Sequence, residues 1–379
     1  MHMTTPRRRI LLLGATGFGL IAVCYGFARF AFGLFLPRIA ADLGLSSSLG
    51  GTIAGGSFLG FCLAIVVAAR CTERLGARPV AVAAGLVAAA GLLGIAFAPS
   101  ASWLGAAVIF AGMSTGLASP ALAAAVTAMA PPASRDTCNT AINAGTSAGV
   151  ALSGPVAVMM GADWRLAFAG FAAAASAMSL ATLAVLAGGK QAPATPGPLL
   201  PAFTPDLKRL VMAALLTGAA STVVWSFGGE LAKTNLGWDS GKVGMLWTAM
   251  GAAGLAGAAA GYLVARAGLR AIHLGFHLAM AASIVAVGCE LGSPALVFGG
   301  GAVFGAAYLM LTGVYLVWGI SALPERPAAG VTVAFLALTV GQALGAPVFG
   351  FALDYLPADA LVAAFAMLAC VAGAIRRPN

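Results

Sequence analysis

Charge is what this chain has least of. Only 8% of its 379 residues are Asp, Glu, Lys or Arg, and the acids number 11 against 20 bases. A soluble chain of this length could not cover its surface with so few ionised groups. Histidine is scarce too, at three residues. His273 and His277 form H-x-x-x-H without the acidic neighbour that HExxH chemistry needs, and they read as polar residues at a membrane interface. No GxxxxGK[ST] loop and no spaced nucleophile–base–acid set occurs, so neither ATP hydrolysis by this chain nor enzymatic catalysis is expected. The six cysteines form no CxxC pair, and most lie in or near apolar runs, where Cys behaves as a small hydrophobe. No disulfide, metal site or cofactor is expected from them. Nor is there a basic tract long enough to follow a phosphate backbone, which sets nucleic acid aside as the partner of the +9 net charge.

What fills the chain is apolar. Hydrophobic residues make up 61%, and the mean hydropathy is +0.98. A helix crosses a bilayer with about 20 apolar residues. Twelve such stretches occur, near 10–36, 49–69, 79–98, 103–130, 137–161, 165–188, 209–229, 242–264, 271–289, 295–320, 328–351 and 357–375. The expected fold is an all-α membrane protein. The 51 glycines read as close helix packing, since small residues let backbones approach in lipid. The basic start at Arg7, Arg8 and Arg9 precedes an apolar run too long for a signal peptide, and no clear small-residue cleavage site follows it. With twelve spans, fifteen of the 20 Lys and Arg fall on the face that carries both termini and four on the other, with Arg29 inside a span. That bias places both termini in the cytoplasm.

A proline-rich break at 189–208, "GKQAPATPGPLLPAFTPDLK", separates 1–188 from 209–379, two sets of six spans. The sets echo each other. Arg74-x-Gly76-x-Arg78 and Arg266-x-Gly268-x-Arg270 stand 192 residues apart, as do Gly149 and Pro155 from Gly341 and Pro347. Leu43–Gly44 and Leu236–Gly237 stand 193 apart. Such a parallel repeat implies a pseudo-two-fold axis along the membrane normal, with ligand sites between the repeats near the midplane.

One cation interrupts the first span, in "CYGFARFAFG". An arginine facing lipid at the bilayer centre costs from about 2.5 to more than 10 kcal/mol, so a persistent Arg29 should face the bundle interior or water. Helical spacing sets Tyr25, Arg29 and Phe32 on one face. Aromatic faces hold a guanidinium, and its remaining donors suit a carboxylate, sulfonate or phosphate. Gly33, one turn on, would leave room beside it. Arg29 is therefore the expected counter-charge for an anionic or carbonyl-rich substrate in a solvent-reachable chamber. The competing expectation is that it bonds carbonyls of a neighbouring helix or snorkels outward. Polar residues at depth are Asn139 and Asn143 on the fifth span, and Ser221, Thr222 and Trp225 on the seventh. Tyr308, Thr312 and Tyr315 follow on the tenth, and Thr339 and Gln342 on the eleventh. No carboxylate lies in the interior of a span; Asp359 stands at the very start of the twelfth. Glu230, just after the seventh, is the candidate for proton coupling, and the repeat maps it onto Arg38 at the outer interface.

The loop "ERLGAR" after the second span resembles motif A of the major facilitator superfamily, with Ala69, Glu73, Arg74, Gly76, Ala77 and Arg78 at the pattern positions. The fifth span, "GVALSGPVAVMMG", resembles the Gly-Pro motif of the family's efflux branch through Gly149, Gly154 and Pro155, and "DWRLAF" at 163–168 is similar to the start of its sixth helix. The chain departs from the drug-antiporter pattern twice. Arg29 stands where many antiporters carry an acid, eight positions before the Leu-Pro proline, and the fourth span has no charged residue where motif B would supply arginine.

The resemblance implies two pseudo-symmetric six-helix bundles that move a small organic solute across a bacterial inner membrane by alternating access. Export is the expected direction. The partners it implies are the solute, the lipid bilayer and, as candidate coupling ions, protons; a monomer is expected. A non-transporting membrane receptor on the same fold is the alternative. The family's cavity-lining helices point to Asn143, Trp225, Tyr308, Thr312 and Gln342 as further substrate contacts. Glu73, Arg74, Gly76 and Arg78 would form a conformational latch, with Glu73 facing the N-terminal end of the eleventh helix. Gly154 and Pro155 would let the fifth helix bend.

Overall fold

The computed structural model describes residues 6–161, 163–188 and 204–376, and the described residues are helical without strands. The helix α1 is built from Pro6–Ile21, a π-helical stretch Ala22–Phe30, and Ala31–Leu43. Then follow α2 (Ser47–Leu75), α3 (Ala77–Ala96), α4 (Ala101–Met129), α5 (Pro132–Met160) and α6 (Trp164–Val185). The second set is α7 (Pro205–Leu236), α8 (Ser240–Gly254, a 3-10 turn Leu255–Ala259, and Ala260–Ala267), α9 (Leu269–Gly288), α10 (Pro294–Ala322), α11 (Pro327–Leu353) and α12 (Ala358–Ala374).

Ten of these helices are long and apolar enough to cross a membrane, against the twelve apolar stretches of the sequence. The shortfall has two physical causes. The first half of α5 carries Arg135, Asp136, Asn139 and Asn143, and α12 has 17 residues, about 25 Å of helix against a hydrocarbon core of about 30 Å. Several helices overrun the apolar stretches because capping side chains extend them. Ser46, Ser100, Asp163, Thr204, Asp239 and Ser293 each accept a hydrogen bond from a first-turn N–H. Thr204 and Pro205 start α7 inside the proline-rich break, so its last four residues are helical. Residues 189–203 of that break lie outside the described residues.

The internal repeat is visible in backbone conformation and in packing. Gly44 and Gly237 have φ of 64° and 61°, and Gly76 and Gly268 have φ of 91° and 83°, a region that favours glycine. Within the first six helices α1 packs on α5, α2 on α4, and α3 on α4 and α6; within the second six α7 packs on α11, α8 on α10, and α9 on α10 and α12.

The two halves meet along α2–α11, α5–α8 and α1–α7. Glycines let the backbones touch there. A Cβ on Gly33 would sit 1.9 Å from the Trp225 carbonyl oxygen, one on Gly51 2.4 Å from that of Ala346, and one on Gly154 2.2 Å from that of Gly244. These seams all lie toward the face opposite the termini. Hydrogen bonds that cross between the halves include Arg38 to Ser240, Ser48 N–H to Asp354, and those of Arg29. Pro6–Ile21 packs on α4, α5 and α6, and Ala260–Ala267 on α9 and α10, each within its own half. The close backbone contacts between the halves are therefore concentrated toward the opposite face, which they seal.

Candidate functional site

At the inner limit of the seal lies Arg29, 5% exposed. Its Nη2 donates to Gln342 Oε1 at 2.7 Å and to Thr339 Oγ1 at 3.3 Å, both on α11. The arginine neither snorkels nor caps a backbone carbonyl; it spans the two halves through neutral side chains. Gln342 in turn donates from Nε2 to Tyr308 Oη at 3.0 Å and to Ser221 Oγ at 3.3 Å, gathering α7, α10 and α11 around one guanidinium.

The rings around the guanidinium are Phe58, Phe61, Phe30 and Tyr25, with centroids 4.9–5.6 Å from Cζ. Phe32 is buried but does not belong to this set. The π-helical turn accounts for the difference. Its i→i+5 register aligns Tyr25 with Phe30, where α-helical spacing would have aligned Tyr25, Arg29 and Phe32. Nor does Gly33 leave a void, because the α7 backbone at Trp225 and Ser226 fills that space. The solvent-reachable chamber expected around Arg29 is thus corrected for this conformation: the guanidinium is enclosed. An aromatic wall continues from Phe30 to Trp225 (4.3 Å), and from Trp225 to Phe304 and Tyr308 (5.3 Å each). Two buried N–H groups flanking Phe30, Arg29 Nε and Trp225 Nε1, have no hydrogen-bond partner among the described residues, and neither does Ser57 Oγ.

Tyr25 reaches Ser119 on α4 at 2.8 Å. The structure thus brings together Arg29, Tyr25, Trp225, Tyr308 and Gln342. Asn143 is exposed, and the half-buried Thr312 donates to the Leu309 carbonyl of its own helix. Glu230 is half-buried, with Oε2 buried and without a hydrogen-bond partner among the described residues. Arg38, its repeat mate, bonds Ser240 and the Ala157 carbonyl instead. Phe58 and Phe61 were missed by sequence reading, although "SFLGF" places two rings three apart on a helix otherwise rich in small residues.

The residues of the loop after α2 stay within their own half. Arg78 Nη2 donates to the Leu183 carbonyl at the end of α6. Glu73 and Arg74 are exposed and have no hydrogen-bond partner among the described residues, so the expected latch onto α11 is not made in this conformation. Helix α5 runs unbroken through Pro155, and Gly154 serves the close approach to Gly244 and Thr248. His273 and His277 depart from the interfacial expectation: they are 2% and 0% exposed. His277 Nε2 lies 2.8 Å from Thr217 Oγ1 and 3.2 Å from Tyr315 Oη. Its Nδ1 lies 2.7 Å from the His273 carbonyl, which accepts only, so Nδ1 carries the proton and Nε2 accepts.

Two pseudo-symmetric helical halves with a polar cluster at their interface are the architecture of a secondary transporter. The Major Facilitator Superfamily profile matches residues 18–346, and the chain belongs to that family. Among solved structures, a mutant form of the nucleoside transporter NupG is similar with a TM-score of 0.79 at 14% identity, covering 95% of this chain and 98% of that one. A bacterial homolog of the human lysosomal transporter Spinster, inward-facing and occupied, is similar with a TM-score of 0.76 at 17% identity, over 98% and 97% of the two chains. At these identities the likeness is one of fold. A search by sequence among curated proteins gives no match.

Proposed function

We propose that this transporter exports a small organic anion with an apolar or aromatic body. The single observation that carries the reading is the buried Arg29 cation, whose hydrogen-bond partners, Gln342 and Thr339, are both neutral. A buried guanidinium without a carboxylate is costly, and a charged ligand offsets that cost. Arg29 Nε and Trp225 Nε1, both without a partner among the described residues, supply donors for the anion, while Phe30, Trp225, Phe304 and Tyr308 supply an apolar wall. Loading would replace the Gln342 bond to Arg29 with a charge-assisted one.

The distribution of Lys and Arg supports a cytoplasmic terminal face in a bacterial inner membrane. On that orientation the seal at the outer face supports an inward-facing reading, with Arg29 still enclosed, so that loading from the cytoplasm has to open the contacts around it. In the outward-facing state Glu73, Arg74 and Arg78 would close the cytoplasmic side. Glu230 is the residue we assign to proton exchange, on the strength of its buried carboxylate oxygen, which has no partner among the described residues.

Uptake of radiolabelled organic anions into inside-out vesicles tests the reading. Wild type should accumulate at least one aromatic or aliphatic carboxylate. Arg29→Ala should abolish that flux with the protein still monodisperse, and Arg29→Lys should retain a fraction, lacking the planar fork. Undiminished flux of the anion through Arg29→Ala, or transport restricted to organic cations, would overturn it.

A further inference from the structure

The polar groups around Arg29 hold spare donors, while their side-chain acceptors are taken. Arginine only donates, so the Gln342 carboxamide must turn Oε1 to Arg29 and Nε2 to Tyr308 and Ser221. Tyr308 Oη therefore accepts from Gln342, and Thr339 Oγ1 accepts from Arg29. The hydroxyl hydrogens of Tyr308 and Thr339 have no acceptor among the described residues, whereas Ser221 spends its own on the Gly218 carbonyl. Arg29 Nε and Trp225 Nε1 are two more buried donors without a partner among the described residues. No carboxylate pairs with Arg29 among them either.

A ligand that satisfies this cluster must bring acceptors and no hydrogens of its own. A carboxylate brings two oxygens. A carbonyl beside the carboxylate adds a third acceptor and no donor. An ammonium at the same position does the opposite: it sets a second cation and three donors next to a buried guanidinium, where no carboxylate receives them. Tyr308 is placed to read that position. Its Oη and the guanidinium bind opposite ends of one carboxamide. Its ring is held by Trp225 (5.3 Å) and Phe304 (6.1 Å), so packing fixes where the hydroxyl stands.

Resting on the anion reading of Arg29, we propose that the site selects 2-oxo carboxylates with an apolar or aromatic body, rejects the corresponding 2-amino acids, and uses Tyr308 as the residue that reads the 2-oxo group. The guanidinium takes the carboxylate in place of Gln342, and the Tyr308 O–H donates to the oxo oxygen. Specificity of this kind comes from leaving buried donors unmade when the wrong ligand binds.

Benzoylformate, phenylacetate and phenylglycine share one skeleton and differ at the 2-position. Calorimetric titration of the full chain in detergent micelles at neutral pH compares them. Benzoylformate should bind about five- to tenfold more tightly than phenylacetate, the worth of one hydrogen bond. Phenylglycine should bind at least about a hundredfold more weakly than phenylacetate. Tyr308→Phe keeps the ring and removes the O–H. It should bring benzoylformate down to the affinity of phenylacetate and leave phenylacetate nearly unchanged, whereas a merely structural role would weaken both alike. Binding undiminished in Arg29→Ala would overturn the anion reading and this inference with it. The inference alone falls if benzoylformate does not bind, or if binding depends on Arg29 but the three ligands bind equally. It falls too if Tyr308→Phe weakens both carboxylates alike or keeps the preference for benzoylformate.

Discussion

Replacing Gly33 by Ala should push the protein out of the conformation described here. The new Cβ would stand 1.9 Å from the carbonyl oxygen of Trp225 and 3.2 Å from the Cα of Ser226, where ordinary contact begins near 3.4 Å. That oxygen belongs to the backbone of α7 and cannot swing aside, so α1 and α7 must part by about 1.5 Å at the seal. Overpacking of this kind costs about 1–3 kcal/mol. The cost falls only on the state in which the halves touch at the opposite face, because they separate there when the protein opens the other way. The equilibrium should therefore shift by roughly 5- to 150-fold toward the alternative state. The gain in helix propensity from Gly to Ala, up to about 1 kcal/mol, is common to both states and cancels.

Spin labels at Leu49→Cys and Tyr355→Cys, both exposed beside the Ser48–Asp354 contact, in a chain freed of its native cysteines, report the separation at this face by pulsed electron resonance. The Gly33→Ala distance distribution should move to longer values. Gly170→Ala, whose Cβ meets nothing within 4 Å, should leave it unchanged. An unaltered distribution in a monodisperse Gly33→Ala protein would refute the idea that backbone contact through glycine seals this face.

Three further outcomes are expected. Gln342→Leu removes the shorter hydrogen bond of a buried guanidinium and orphans part of Arg29, so unfolding should require about 1.5–3 kcal/mol less, read by heat denaturation in detergent; unchanged stability would show that the bond contributes nothing. Tyr315→Phe deletes one hydroxyl from the Thr217–His277 cluster while those two keep each other at 2.8 Å. It should cost about 0.5–1.5 kcal/mol and leave anion flux intact, as measured by the vesicle assay. Glu230→Gln should abolish proton-driven accumulation but keep solute exchange between the two sides; accumulation equal to wild type would remove Glu230 from the coupling scheme.

Much of this molecule was legible before any coordinates. Hydropathy and the scarcity of charge dictated a helical membrane protein, because ionised groups and unpaired backbone are both expensive in lipid. The 192-residue offset declared a repeat, since glycines with positive φ recur wherever the same tight turn recurs. Arg29 stood out because an isolated cation in an apolar run has no cheap explanation. Tertiary structure alone decided its surroundings. The π-helical register exchanged Phe32 for Phe30, and α2 contributed Phe58 and Phe61 from outside the local sequence. The partners on α11 stand more than 300 residues away along the chain. Gly33 reads in sequence as empty space, and only the approach of α7 turns that space into a contact. The same holds for His273 and His277. Their spacing was plain, but their burial depends on Thr217, Tyr315 and Trp318 arriving from other helices. Periodicity and composition are local quantities and fix what each segment must be. Which segments share an interface, and which polar groups are left without partners in it, follows from packing between distant helices.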